Sequence, residues 1–161
     1  MRVRSVMVFL AIGIWPALAN ADVIFNLTPP ALTAFHGSTV QFAGSLINTG
    51  TTDVFLNGTV GNLPYAHLTL DDSPFFLFSP LFLPGGGRYT GRFFDVTVDA
   101  TADAGTYFGS FTILGGANSD SFDSLAQQDF SVTVATPEPG SLVLVGTAVV
   151  FIFWRRLSAA S

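Results

Sequence analysis

Residues 22–136 repeat short runs in which apolar and polar side chains alternate, and turn residues interrupt these runs about every ten to fifteen positions. Because successive side chains of a strand point to opposite faces, each run predicts a strand with one buried face. No stretch shows a convincing helical period, and residues 121–128 are the only candidate for a helical turn. The pattern therefore predicts an all-β sandwich of about seven strands, at residues 23–28, 39–48, 54–60, 67–70, 89–98, 106–114 and 129–135.

Large aromatic side chains are expected to fill the core of this sandwich. The chain has 17 phenylalanines and no cysteine, so packing has to stabilise the domain without disulfides. In the long strand at 89–98, Phe94, Val96 and Val98 are predicted to face inward, and Asp95 and Thr97 outward.

The charge of the middle segment excludes one class of partner. Between Asp22 and Thr136, two arginines oppose ten aspartates, which gives a net charge of about minus eight. Such a surface repels nucleic acid and anionic lipid head groups, so no nucleic-acid partner is expected.

A short motif refines the fold prediction. Asp103-Ala104-Gly105-Thr106-Tyr107 has the Asp-x-Gly-x-Tyr spacing and resembles the tyrosine corner of immunoglobulin-like sandwiches. The resemblance implies that Tyr107 opens a strand and that its hydroxyl bonds to upstream backbone. Asp103, Gly105 and Tyr107 are therefore predicted as a structural site.

The first 21 residues have the features of a secretory signal peptide. Arg2 and Arg4 precede an apolar run over residues 6–15, and small residues suited to cleavage follow at 17–21. Removal after Ala19 or Ala21 is predicted, so the mature chain begins near Asp22.

The last residues, 136–161, form a second targeting segment. Pro137-Glu138-Pro139 cannot sit inside a helix; it is followed by an apolar run that predicts a helix over about 140–154, and then by Arg155 and Arg156 as a membrane stop. This order resembles the PEP-CTERM sorting signal of Gram-negative bacteria that secrete exopolysaccharide. The resemblance implies processing at the triplet by a membrane enzyme, exosortase. The alternative is an unprocessed single-pass anchor; its apolar run is shorter than the roughly 20 residues of a spanning helix, and local bilayer thinning and snorkelling arginines would cover the shortfall.

No arrangement of residues predicts catalysis. His36 and His67 have no zinc-ligand spacing, no nucleophile motif is present, and we expect no enzyme, no cofactor and no metal site. Asp71-Asp72 and the loop at 118–123 supply oxygen ligands but lack a calcium-loop pattern, so we interpret them as turn aspartates.

One apolar block, residues 74–82, breaks the strand alternation. Its prolines argue against a central strand. We expect it to cover the core along one edge, with Phe75, Phe76 and Phe78 mostly buried. The alternative is an exposed aromatic platform for sugar rings or for a neighbouring copy.

These features predict an immunoglobulin-like ectodomain at residues 22–135 between a signal peptide and a transmembrane sorting helix. The predicted partners are the secretion machinery, exosortase and the membrane, and the predicted destination is the cell surface or extracellular matrix of a Gram-negative bacterium. We expect a non-catalytic surface or biofilm-matrix protein. The alternative is a carbohydrate-binding module that holds exopolysaccharide.

Overall fold

The computed structural model describes residues 23–136. Within that range the chain forms nine strands and one short helix: β1 (Val23–Leu27), β2 (Ala31–Phe35), β3 (Thr39–Asn48), β4 (Val54–Asn62), β5 (Leu68–Asp71), α1 (Ser73–Phe78), β6 (Phe82–Leu83), β7 (Arg88–Val98), β8 (Gly105–Gly116) and β9 (Asp123–Ala135).

The strands form two sheets, which confirms the predicted all-β sandwich. One sheet has the order β1-β3-β7-β5, and the other has the order β2-β9-β8-β4-β6. Neighbours are antiparallel except β2 and β9, which run parallel. The first order corresponds to strands A, B, E and D of an immunoglobulin-type sandwich, and β4, β8 and β9 correspond to C, F and G.

The prediction of a helical turn at residues 121–128 was wrong. The helical turn lies at Ser73–Phe78, whereas residues 123–128 belong to β9. Pro74 occupies the first turn of α1, where its fixed φ suits a helix and its missing amide donor costs nothing. Residues 123–128 extend instead, because they pair with β8.

Two strands, β2 and β6, were not predicted from the sequence, because both lie at the edges of a sheet. β2 buries only Ala34, so it shows no alternation, and it is aligned by parallel pairing with β9. β6 has only two residues and pairs with the start of β4. Neither strand carries enough periodicity to be recognised.

Four phenylalanine rings in mutual contact form the centre of the core. The ring centroids of Phe42 and Phe94 are 4.7 Å apart, those of Phe94 and Phe111 are 4.4 Å apart, and Phe130 lies 4.8 Å from Phe94. All four side chains are buried. These contacts join both sheets, so residues 23–136 contain a complete core and are expected to fold without the flanking segments.

A bulge in β7 places one more ring in this core. Phe42 pairs with Phe94 but Ala43 pairs with Arg92, which leaves Phe93 as an extra residue. Phe93 is fully buried like Phe94, and its ring lies 4.7 Å from that of Phe25. The predicted inward set Phe94, Val96 and Val98 is confirmed. Phe93 was missed because a bulge reverses the alternation.

One glycine of β8 is required by close backbone approach. A Cβ added to Gly115 would collide with the carbonyl oxygen of Phe55 on β4 and lie 2.9 Å from the Leu125 side chain. By contrast, a Cβ added to Gly105 at the start of the same strand would meet nothing within 4 Å. The two positions therefore make a matched pair for mutagenesis.

The described chain begins and ends at opposite ends of the sandwich. Val23 pairs with Asn48 at the end of β3, whereas Ala135 pairs with Phe35, just before the turn into Thr39 at the start of β3. A ten-residue strand separates these two levels, a distance of about 30 Å at roughly 3.3 Å per residue. The chain therefore leaves the domain far from the point where it enters.

Candidate functional site

The predicted sorting residues lie outside the described part of the chain. Thr136 is the last described residue and directly follows β9, so the triplet Pro137-Glu138-Pro139 begins one residue later. Arg155 and Arg156 and the predicted signal peptide also lie outside the described residues. Within residues 23–136, no helix has the length and apolar character needed to cross a bilayer.

The predicted structural site is centred on Tyr107 in β8. Its hydroxyl donates a 2.8 Å hydrogen bond to the backbone carbonyl of Asp103, and its ring packs edge-on against Tyr65 at a centroid distance of 4.9 Å. The bond spans four residues and fixes the loop that leads into β8. Asp103 contributes its backbone to this bond, and Gly105 opens the strand without a steric requirement for glycine.

His67 directly precedes β5 and Asp99 directly follows β7, and the amide of Asp99 donates a hydrogen bond to the carbonyl of His67. Asp99 accepts 2.8 Å hydrogen bonds from both the amide and the hydroxyl of Thr101, and that hydroxyl lies 3.3 Å from Nδ1 of His67. The backbone and side-chain bonds from Thr101 lower the pKa of Asp99. Among residues 23–136, no three His, Cys, Asp or Glu residues are grouped closely enough to hold a metal.

The candidate calcium ligands also bond within turns. The hydroxyl and amide of Ser73 donate to Asp71 at 2.5 and 3.0 Å, and these bonds lower the pKa of Asp71. Thr59 donates to Asp72 at 2.5 Å. These contacts tie the start of α1 to β4 and β5. In the other loop, Asn118 accepts from Asp120 and Ser121.

Both cations of the described domain lie on β7. Arg92 Nε donates a 2.6 Å hydrogen bond to Asp95, and the two side chains form an ion pair. Asp95 was predicted to face outward, yet its side chain is buried. The ion pair with Arg92 explains how a carboxylate tolerates this burial. Arg88 donates to Thr90 at 3.4 Å.

A shallow cleft on the five-stranded sheet surrounds Phe108. This ring is 66% exposed and stands between two cavities of about 330 and 250 Å³. Phe108, Asp129 and Phe130 line both, and the remaining walls are formed by Asn62, Pro64, Gly109 and Ser110 on one side and by Pro30, Ala31, Gln128 and Ser131 on the other. The cleft combines one open aromatic face with amide, hydroxyl and carboxylate groups and no cation.

Sequence reasoning missed Phe108, although the pattern held a signal. In β8, residues 111 and 113 face the core, so residues 106, 108, 110 and 112 face solvent. Three of these are serine or threonine, and the fourth is phenylalanine. An aromatic side chain at an outward position of a strand is available for contact with a ligand.

A second exposed surface is formed by α1 and β6. Five large apolar side chains within seven residues are 45–82% exposed, and we call them the α1–β6 patch: Phe76, Leu77, Phe78, Leu81 and Phe82. Only Phe75 and Leu83 of this stretch, besides Pro74, are buried. The prediction that Phe76 and Phe78 cover the core was wrong. α1 presents one face to β7 and the other to solvent, so a helical turn divides a block that looks uniform in sequence.

Comparison with protein families identifies the tail. Residues 135–157 match the family described as the PEP-CTERM protein-sorting motif. The chain carries a PEP-CTERM sorting motif. The match begins at the last residue of β9 and includes the triplet, the apolar run and both arginines, so the predicted resemblance is confirmed.

The described domain is similar to several solved structures, and the first one given below supports the sandwich fold. CaCohA2 from Clostridium acetobutylicum is 15% identical, with a TM-score of 0.52 over 74% of this chain and 95% of that chain. The PapD-like domain 7 of human CEP192 is 14% identical, with a TM-score of 0.46 over 84% of this chain and 100% of that chain. A type I cohesin of Pseudobacteroides cellulosolvens is 13% identical, with a TM-score of 0.41 over 73% and 94%. No curated protein matches the sequence.

Proposed function

We propose that this protein is exported, held by its C-terminal segment, processed by exosortase at Pro137-Glu138-Pro139, and delivered to the cell surface or extracellular matrix. The observation that carries the proposal is the sorting-motif match at residues 135–157. In this proposal residues 1–21 are a signal peptide, 22–135 are the delivered domain and 136–161 are the sorting signal, with Arg155 and Arg156 as its membrane stop.

The geometry of the last strand supports processing without damage to the domain. β9 ends at Ala135, and its residues through Val134 are paired with β8. A cut within or just after the triplet removes none of the strands. Because prolines cannot enter the helix and Glu138 resists the hydrocarbon, the triplet belongs at the membrane surface, where a membrane enzyme reaches it.

We propose a non-catalytic role for the delivered domain, as a surface or biofilm-matrix protein. The support is that its polar side chains take part in fold-building contacts: Asp71 and Asp99 bond within turns, Asp72 accepts from Thr59 on β4, and Asp95 pairs with Arg92. Two exposed surfaces of the domain are open to contact with a partner, the Phe108 cleft and the α1–β6 patch.

Intact-mass analysis tests the sorting proposal. The chain is expressed in matched hosts with and without exosortase, and surface and membrane fractions are analysed. We expect a mature C-terminus near residues 137–140 only where exosortase is present, and replacement of Pro137-Glu138-Pro139 by three alanines should leave the chain uncut in the inner membrane. Thr136→Ala, just outside the triplet, is the control and should be processed normally. Recovery of residues 151–156 in surface-delivered protein would refute the proposal in favour of a single-pass anchor.

The Phe108 cleft favours a second candidate function, carbohydrate binding. Sugar rings have apolar faces that stack on aromatic side chains and hydroxyls that bond to amides and carboxylates, and the cleft offers both kinds of partner. Its two cavities lie on either side of one ring, which suits a chain of sugars crossing the sheet. The lack of a cation among the lining residues favours a neutral polysaccharide.

A glycan array probed with residues 22–136 tests this candidate. We expect binding of a neutral glycan that Phe108→Ala abolishes and that Phe122→Ala, a change at another exposed ring of the described domain, leaves intact. Equal binding by wild type and Phe108→Ala would exclude the cleft as the site.

A further inference from the structure

The α1–β6 patch is exposed although its backbone is firmly anchored. Phe75 is 1% exposed and lies 6.5 Å from the ring of Phe93, and Leu83 is 2% exposed. The two aspartates before α1 are hydrogen-bonded to Ser73 and Thr59. The five outward side chains are thus presented by a fixed segment. Five exposed large apolar side chains within one short segment mark an interaction site.

The patch is also free of charge. Residues 73–87 include no Asp, Glu, Lys or Arg, whereas the segment 22–136 has a net charge of about minus eight. Covering residues 73–87 with another apolar surface therefore takes no ionised side chain of that stretch out of water. A charged partner would gain nothing from it.

The position of the patch argues against the protein's own membrane as the occupant. Phe82 pairs with Phe55, and Phe55 pairs with Gly116 at one end of β8, while Gly105 at the other end pairs with Val134 near the exit of the chain. Eleven residue steps separate these levels, about 36 Å at roughly 3.3 Å per residue. This step rests on the proposed function: with the tail in the membrane, the end of the sandwich that carries the patch is the end farther from the chain's exit and from the bilayer.

We propose that the patch is a self-association surface, covered by the same patch of a second copy of this chain. An aromatic side chain has roughly 150–250 Å² to bury, so five large side chains that are about half exposed or more offer on the order of 500–600 Å². Two copies together bury about 1,000–1,200 Å², which reaches the lower limit of specific protein interfaces. Exposed Pro80 and Pro84 beside the patch add further apolar area.

The pairing is isologous, because one two-fold axis lets each copy use the same residues. The strong negative charge of both copies opposes their approach, and salt screens this repulsion. Association is therefore expected to strengthen as ionic strength rises, the opposite of binding driven by charge attraction.

Sedimentation of residues 22–136 tests the proposal. From low micromolar to millimolar concentration we expect a monomer–dimer equilibrium, with a larger dimer fraction at high salt. Leu77→Glu and Leu81→Glu, at the two most exposed positions of the patch, should each weaken association at least about tenfold. Phe35→Glu, at an exposed position of β2 beside the exit of the chain, is the matched control and should dimerise like wild type. Circular dichroism verifies that each variant is folded, and the two single variants provide independent readings.

Three outcomes would overturn the proposal. The wild type could stay monomeric over the whole concentration range, or it could dimerise equally well with and without the patch substitutions. It could also remain monomeric while binding phosphatidylcholine vesicles or a polysaccharide through Leu77 and Leu81, which would assign the patch to that occupant. The proposal goes beyond sorting, and the intact-mass experiment on the tail is unaffected by any of these results.

Discussion

The short helix α1 allows buried and exposed phenylalanines to be compared three residues apart. Phe75 is 1% exposed and packs against Phe93, whereas Phe78 is 58% exposed. Burial of a phenylalanine contributes about 1.5–3 kcal/mol by transfer alone, and the cavity left by truncation raises the cost of Phe75→Ala to about 3–5 kcal/mol. Phe78→Ala leaves no cavity and should change the free energy of unfolding by about 0.5 kcal/mol or less.

Urea denaturation of residues 22–136 measures both changes. Both tryptophans, Trp15 and Trp154, lie outside this segment, so far-UV circular dichroism and tyrosine fluorescence report unfolding. Low protein concentration is required, because Phe78 belongs to the α1–β6 patch and dimerisation would add apparent stability to the wild type. Unchanged m-values would show that the two variants lose stability without a change in the surface exposed on unfolding.

Two results would refute this reasoning. A cost below about 1 kcal/mol for Phe75→Ala would mean that α1 is not part of the core. Equal costs for the two substitutions would mean that both rings are buried, as the sequence first suggested, and that α1 does not divide the apolar block.

Three further predictions follow from local contacts. Tyr107→Phe removes one hydrogen bond and should lower the free energy of unfolding by about 1 kcal/mol; an unchanged urea midpoint would show that the corner bond does not stabilise the domain. Gly115→Ala should lower the free energy of unfolding by about 1–3 kcal/mol, because the added Cβ collides with the neighbouring strand. Gly105→Ala is the control and should leave the free energy of unfolding nearly unchanged; thermal denaturation of both variants measures the difference. The pKa values of Asp71 and Asp99 are lowered by hydrogen bonds, so their stabilisation is complete above the unfolded value of about 3.9 and is lost as the pH falls through the lower folded values. The urea midpoint should therefore decrease below about pH 4, and a midpoint that rises on acidification would contradict the sign of these shifts.

The sequence predicts the parts of this fold that repeat with a period of two. β3 has the predicted bounds, and Phe94, Val96 and Val98 are buried as expected. Phe93 could not be found in this way, because the bulge that buries it depends on pairing between distant strands. Edge strands β2 and β6 were missed for a similar reason, since one-sided burial leaves little alternation to detect.

The candidate surfaces show the same limit. Nothing in the residues 74–82 distinguishes buried Phe75 from exposed Phe78, because the division depends on which face of a single helical turn meets β7. Phe108 is different, because the alternation of residues in β8 already predicts that its side chain faces outward. The sorting tail was recognisable because its signal is an order of residue types along the chain, which needs no tertiary contact.

The parallel pairing of β2 with β9 contributes to how the domain resists mechanical force, together with the longer antiparallel pairing of β9 with β8. A pull on Thr136, opposed by a hold at the distant α1–β6 patch, acts along β9. Five residue pairs, from Ala31 and Ser131 to Phe35 and Ala135, lie side by side along that direction. Their hydrogen bonds are sheared together instead of opening one after another, so the barrier to forced unfolding is shared among them. A domain tethered at one end and joined to a second copy at the other would transmit tension through a surface layer before it unfolds.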